Sequence, residues 1–177
     1  MKVLTIYICL VVLSYGCSKD SPTSPTFTEQ TLDTTTKEES GYAETFTIQR
    51  WDGENWIDTD DKLVISSVSW KFISLLDRDD GGVRIKGGYT LNLYNPSDND
   101  VEFLFSKLIF YDESDVLNFI LIITGIRKEV NVVGSVLVKA KGTATYSASF
   151  EIEFYNIDAA NQIAEMEIWG RATIPIE

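Results

Sequence analysis

The stretch Thr145 to Tyr155 reads TYSASFEIEFY, and its alternation decides the fold class. Tyr146, Ala148, Phe150, Ile152 and Phe154 share one parity. Thr145, Ser147, Ser149, Glu151 and Glu153 share the other. Successive side chains of an extended chain point to opposite faces. The stretch is therefore a strand with one apolar and one wet face, as in an antiparallel sheet. Ala164, Met166 and Ile168 against Glu165 and Glu167 repeat the pattern, as do Tyr89, Leu91 and Leu93 against Thr90 and Asn92.

Other runs fit around these. Val101, Phe103 and Phe105 share one parity, while Leu108 and Phe110 share the other. The phase change at Ser106-Lys107 predicts a β-bulge, or a strand buried on both faces. Val116 to Ile123 (VLNFILII) is nearly all apolar and reads as a central strand, with a partner interface as its other possible use. Val130 to Ala140 is a further strand candidate, and Ile157 to Gln162 has room for one helical turn. Turn residues separate the runs at Asp52-Gly53, Asp79-Asp80-Gly81-Gly82, Asn95-Pro96-Ser97, Glu113-Ser114 and Lys141-Gly142. No segment sustains a 3.6-residue apolar repeat. Seven to nine strands over residues 42–177 predict an all-β, antiparallel two-sheet sandwich.

The N-terminus is different in kind. Val3 to Tyr15 (VLTIYICLVVLSY) is a mostly apolar run of thirteen residues. A bilayer span needs roughly 18 or more, so the run has the length of a signal-peptide core. It stops at Gly16-Cys17. Here the chain resembles a bacterial lipoprotein signal, which places a small residue before an invariant cysteine and a Leu a few positions upstream. Gly16-Cys17 matches, while Leu13 sits one position further back than usual and Tyr15 is bulkier than usual. The resemblance implies cleavage before Cys17 and diacylglyceryl on its sulfur. One acyl chain binds a membrane marginally, and two or three hold it stably. An ordinary secretory signal cleaved nearby, or an uncleaved anchor, are the alternatives. Cys9 would leave with the signal, so Cys17 would remain without a disulfide partner.

Ser, Thr and Pro fill 13 of the 23 positions from 18 to 40, and only Phe27 and Leu32 are large and apolar. Such a segment buries too little to offset its ordering entropy. The expected organisation is a signal peptide over 1–16, a lipidated Cys17 and flexible tether over 17–41, and a sandwich over 42–177. The expected location is the bacterial envelope, on the outer membrane or cell surface, since Ser18 follows Cys17.

Composition excludes whole classes of chemistry. The 177 residues contain no His, which rules out Ser-His-Asp and Cys-His catalysis and His-ligated metals. A net charge of −12 argues against nucleic acid, whose phosphates need clustered Lys and Arg. No cofactor and no metal are expected. Asp77 to Gly82 (DRDDGG) has Asp at positions one and three and Gly at six of a calcium loop. It fails with Gly at five and Gly88 at twelve. The acidic loops at Asp58, Asp60 and Asp61, and at Asp98 and Asp100, read as solvated turns. Glu151 with Glu153, and Glu165 with Glu167, could pair as glycosidase carboxylates, but alternation already explains them as a wet face.

One motif remains. Trp51-Asp52-Gly53-Glu54-Asn55-Trp56 places two Trp around a tight turn. Exposed, they could stack on a sugar ring while the polar groups take its hydroxyls. Folded back, they would cover the end of the core. Trp70 and Trp169 read as core or sheet-face packing.

Gly87 to Leu117 resembles two sets of immunoglobulin-like domains. Leu93-Tyr94-Asn95-Pro96-Ser97 is similar to the strand and Asn-Pro turn of late-embryogenesis-abundant proteins of the water-stress type. Leu108-Ile109-Phe110-Tyr111-Asp112 resembles the FxLyD strand ending, with Leu108 where Phe is expected and Phe110 where Leu is. The resemblance implies an immunoglobulin-like β-sandwich and supplies no catalytic residues. The expected function is a membrane-anchored, non-catalytic binding or structural module, partnered by another envelope protein or a glycan. The alternative is a carbohydrate-binding surface lipoprotein using Trp51 and Trp56.

Overall fold

The computed structural model describes residues 31–39, 44–79, 82–112 and 126–176. The strands are β1 (Lys37–Glu39), β2 (Glu44–Trp51), β3 (Trp56–Asp79), β4 (Gly82–Tyr94), β5 (Val101–Asp112), β6 (Arg127–Val138), β7 (Thr143–Phe154) and β8 (Ile163–Thr173). One short helix, α1 (Ile157–Asn161), precedes β8. The all-β expectation is met. The signal run, Cys17, most of the expected tether and the expected strand Val116–Ile123 lie outside the described residues.

The strands form one hydrogen-bonded path, β6-β5-β8-β2-β3-β4-β7, with β1 pairing β3 alongside β2. This is one sheet where the sequence predicts two, and it curls so that β5 faces β3 and β7 across the core. Its two halves join where β2 and β8 run parallel at Ile48↔Ala172 and Gln49↔Thr173. That short parallel pair departs from the antiparallel expectation; every other described pair is antiparallel. On the other side β6 and β7 approach each other, so the sheet is almost a closed barrel.

Aromatic rings hold the layers together. Phe110 of β5 lies 5.5 Å from Trp70 of β3 and 4.8 Å from Phe150 of β7. Phe103 lies 4.7 Å from Phe46 of β2, and Phe105 stacks on Tyr146 of β7 at 4.4 Å. Rings of this size carry a large apolar area and add edge-to-face attraction.

The phase change in β5 is a bulge. Its register against both β6 and β8 shifts between Phe105 and Lys107. Phe103 and Phe105 before it, and Leu108 and Phe110 after it, all face the core. The 24-residue β3 uses the same device. Its register against β4 slips between Ile65 and Ser67, so Leu63 and Ile65 before the slip and Val68, Trp70 and Phe72 after it are all buried.

The folded body reaches further toward the N-terminus than composition suggests. Residues 31–39, which the sequence reading assigns to the tether, lie on the sheet. Leu32 packs against the core and β1 pairs with Val68–Trp70. The Asp33 N–H donates to Asn161 Oδ1 at 2.8 Å, and Asn161 Nδ2 donates to the Thr31 carbonyl at 3.0 Å. A polar segment docks here because hydrogen bonds and one leucine replace a broad apolar face.

Candidate functional site

The β2–β3 hairpin places Trp51 directly across from Trp56. Asp52 makes the turn: its Oδ1 accepts from the Glu54 and Asn55 N–H groups at 2.8 and 2.7 Å, and Gly53 adopts φ +107°. Those two N–H groups, Asn55 first, hold the Asp52 carboxyl below the usual carboxylate range. Ile48 faces the core, so Gln49 and Trp51 face outward, and Trp56 across from Trp51 shares that face. The indole rings sit 5.5 Å apart, tilted by 57°, and Trp51 is 36% exposed. Gln49 Nε2 donates to Asp58 Oδ1 beside them at 2.8 Å.

Two further residues join this face from β8. Ala172 and Ile168 point inward, which turns Trp169 and Arg171 outward. The Arg171 guanidinium lies over the Trp56 ring at 4.9 Å. Trp169 is 46% exposed, with Lys107 Nζ over its ring at 4.5 Å. Trp169 thus belongs to the sheet face and Trp70 to the core. Sequence reasoning did not connect Trp169 and Arg171 to the hairpin tryptophans. The alternation Met166, Ile168 does predict both as outward, but the meeting of Arg171 with Trp56 depends on the β2–β8 pairing.

From Lys107 the row continues across β5 and β6. Lys107 and Arg127 both pair with Glu129, at 3.4 and 2.7 Å. Arg127 lies 5.9 Å from the Tyr111 ring, and the Tyr111 hydroxyl donates to Glu167 at 2.5 Å. Burial, then the bond to Glu167, raises the Tyr111 pKa above its ordinary value. Ile109 lies beneath this end: it is fully buried yet points away from the core. Its same-face neighbours are Lys107 and Tyr111 along β5, and Glu129 and Glu167 across from it. At the other end Trp51 and Trp169 are exposed, while Trp56 is half-buried beneath Arg171.

The other sequence candidates do not assemble. Glu151 and Glu153 stand opposite Lys86 and Arg84, on the rim of an open groove that Lys128 and Glu129 also line. Glu167 is held by Tyr111. Asp98 and Asp100 pair with Lys141 and Lys139, at 3.1 and 2.6 Å. No group of three or more Cys, Asp or Glu that could hold a metal occurs among the described residues.

The Asn-Pro turn has a structural explanation. Asn95 is fully buried; its Nδ2 donates to the Asn99, Val138 and Lys139 carbonyls and its Oδ1 accepts from Ser97. It clasps the β4–β5 connection to the β6–β7 turn.

No family model matches the chain, and no curated protein matches it. Among solved structures, the 1.81 Å crystal structure of a DUF1425 family member from Shewanella sp. pv-4 is similar over 75% of this chain and 91% of that one. The identity is 14% and the TM-score 0.29, and no residue role is carried across.

Proposed function

We propose that the chain is a non-catalytic lipoprotein of a bacterial envelope, held to the membrane through Cys17, whose sheet presents a binding surface to the surroundings. The apolar run ending at Gly16-Cys17 supports the anchor. The observation that carries the binding role is the row of Trp51, Trp56, Arg171 and Trp169 on one sheet face, with Trp51 and Trp169 exposed. Exposed aromatic surface of this kind is uncommon unless a partner uses it. Kinship with immunoglobulin-like domains of the FxLyD and water-stress types is part of this reading, supported by the all-β architecture and the Asn95 clasp. Labelled palmitate incorporated by the wild type and lost in Cys17→Ser, with the protein moving from the detergent phase to the aqueous phase, tests the anchor.

A second reading makes the partner a glycan. Two tilted indoles beside Gln49, Asp58 and Arg171 combine ring faces with hydrogen-bonding groups, the chemistry that sugar recognition needs. Glycan binding that disappears in Trp51→Ala and in Trp56→Ala tests it.

A further inference from the structure

We propose that the Trp56–Arg171–Trp169 face selects an acidic polysaccharide, a polyuronate, over a neutral glycan. The proposal rests on the glycan-binding reading and names the class of sugar. Two observations carry it.

Arg171 is an exposed cation without an ion pair among the described residues, whereas Lys107 and Arg127 further along the face share Glu129. Its guanidinium is already placed over Trp56, so its N–H fork is positioned before any ligand arrives. A planar fork matches a carboxylate with two parallel hydrogen bonds, which a neutral hydroxymethyl group cannot supply.

Rings flank that cation. Trp169 lies two residues along the same strand and face, roughly 6.5–7 Å away by strand rise. Trp56 lies beneath it and Trp51 beyond, 5.5 Å from Trp56. Sugar rings can rest on the exposed indoles of Trp169 and Trp51 while the carboxylate of the residue between them meets Arg171.

The test uses the full-length protein in detergent and calorimetric titration with polygalacturonate and alginate, each beside its carboxyl-reduced, neutral form. Both acidic polymers are expected to bind, and the reduced forms to bind about tenfold more weakly or less, a difference of ~1.4 kcal/mol. Arg171→Gln is expected to lose the preference, while Arg171→Lys, which keeps the charge, retains part of it. Acidic and reduced polymers that bind alike, with loss only in Trp56→Ala or Trp169→Ala, keep the glycan reading and overturn the acidic assignment. Arg171→Gln that binds polyuronate as the wild type does also overturns that assignment. No binding of any polymer overturns both. Binding instead to phosphatidylglycerol vesicles, lost in Arg171→Gln, overturns the proposal in favour of a membrane surface.

Discussion

The hydroxyl of Tyr146 occupies the space that a Cβ on Gly134 would need. Gly134 lies on β6 and Tyr146 on β7, the two strands at the ends of the sheet path. The missing side chain lets the tyrosine reach across, stacked on Phe105 at 4.4 Å, and close the side of the barrel that lacks a described ladder. The stacking limits how far the ring can retreat. Gly134→Ala is therefore expected to destabilise the fold by about 1–3 kcal/mol, the range for overpacking. Tyr146→Phe removes the clashing atom, so the double variant should recover part of that loss in a double-mutant cycle followed by urea unfolding.

Asn95 makes a different kind of closure. Its side chain supplies three donor contacts and accepts twice from Ser97, all with little water access. Asn95→Ala leaves the Val138 carbonyl and the Ser97 N–H without this partner. Each orphaned buried group costs about 1–3 kcal/mol, so a loss of roughly 2–4 kcal/mol is expected. The urea midpoint should fall at unchanged m-value. A loss under about 1 kcal/mol would mean that the clasp is redundant.

The contrast between the two ends of the outer row can be measured by stability alone. Ile109→Ala should cost about 2–5 kcal/mol, as for any fully buried aliphatic side chain. Arg171→Ala should cost no more than about 1 kcal/mol, since an exposed cation–π contact contributes about 0.5–1 kcal/mol. A large loss at Arg171 would make its contact with Trp56 structural and weaken the case for a binding face.

Asp100 titrates below the ordinary carboxylate value, held there by the Lys139 ammonium hydrogen bond first and then by the Ala140 N–H. A depressed folded-state pKa stabilises the fold above the unfolded value of about 3.9 and loses that effect as pH falls through the folded value. Wild type should thus lose more stability than Asp100→Asn on acidification from neutral pH to below the folded value. Parallel stability curves for the two proteins would contradict this.

Much of this fold is legible in the sequence, because strands with one wet face declare their period. Tyr146–Phe154 and Tyr89–Leu93 follow it directly, and the Ser106-Lys107 phase change marks the bulge. β3 is hidden for the same physical reason: its slip at Ser66-Ser67 moves the apolar parity midway, and Ile73, Leu75 and Leu76 are exposed beyond it. Residues 31–39 are missed because Asp33 and Asn161 hold them by polar contacts that composition does not reveal. The hairpin tryptophans are visible as a motif. The arginine that lies over Trp56 is not, because 115 residues separate the two and their strands, β3 and β8, meet only through β2, which pairs with β8 at two positions.

The anchor is the claim on which the envelope reading stands, and the N-terminal peptide tests it most directly. The full chain would be expressed in a bacterium, extracted from membranes, digested and weighed by mass spectrometry. A peptide starting at Cys17 and carrying the mass of a diacylglyceryl group on sulfur is expected. A bare Cys17 thiol, or a mature chain starting elsewhere, would contradict it.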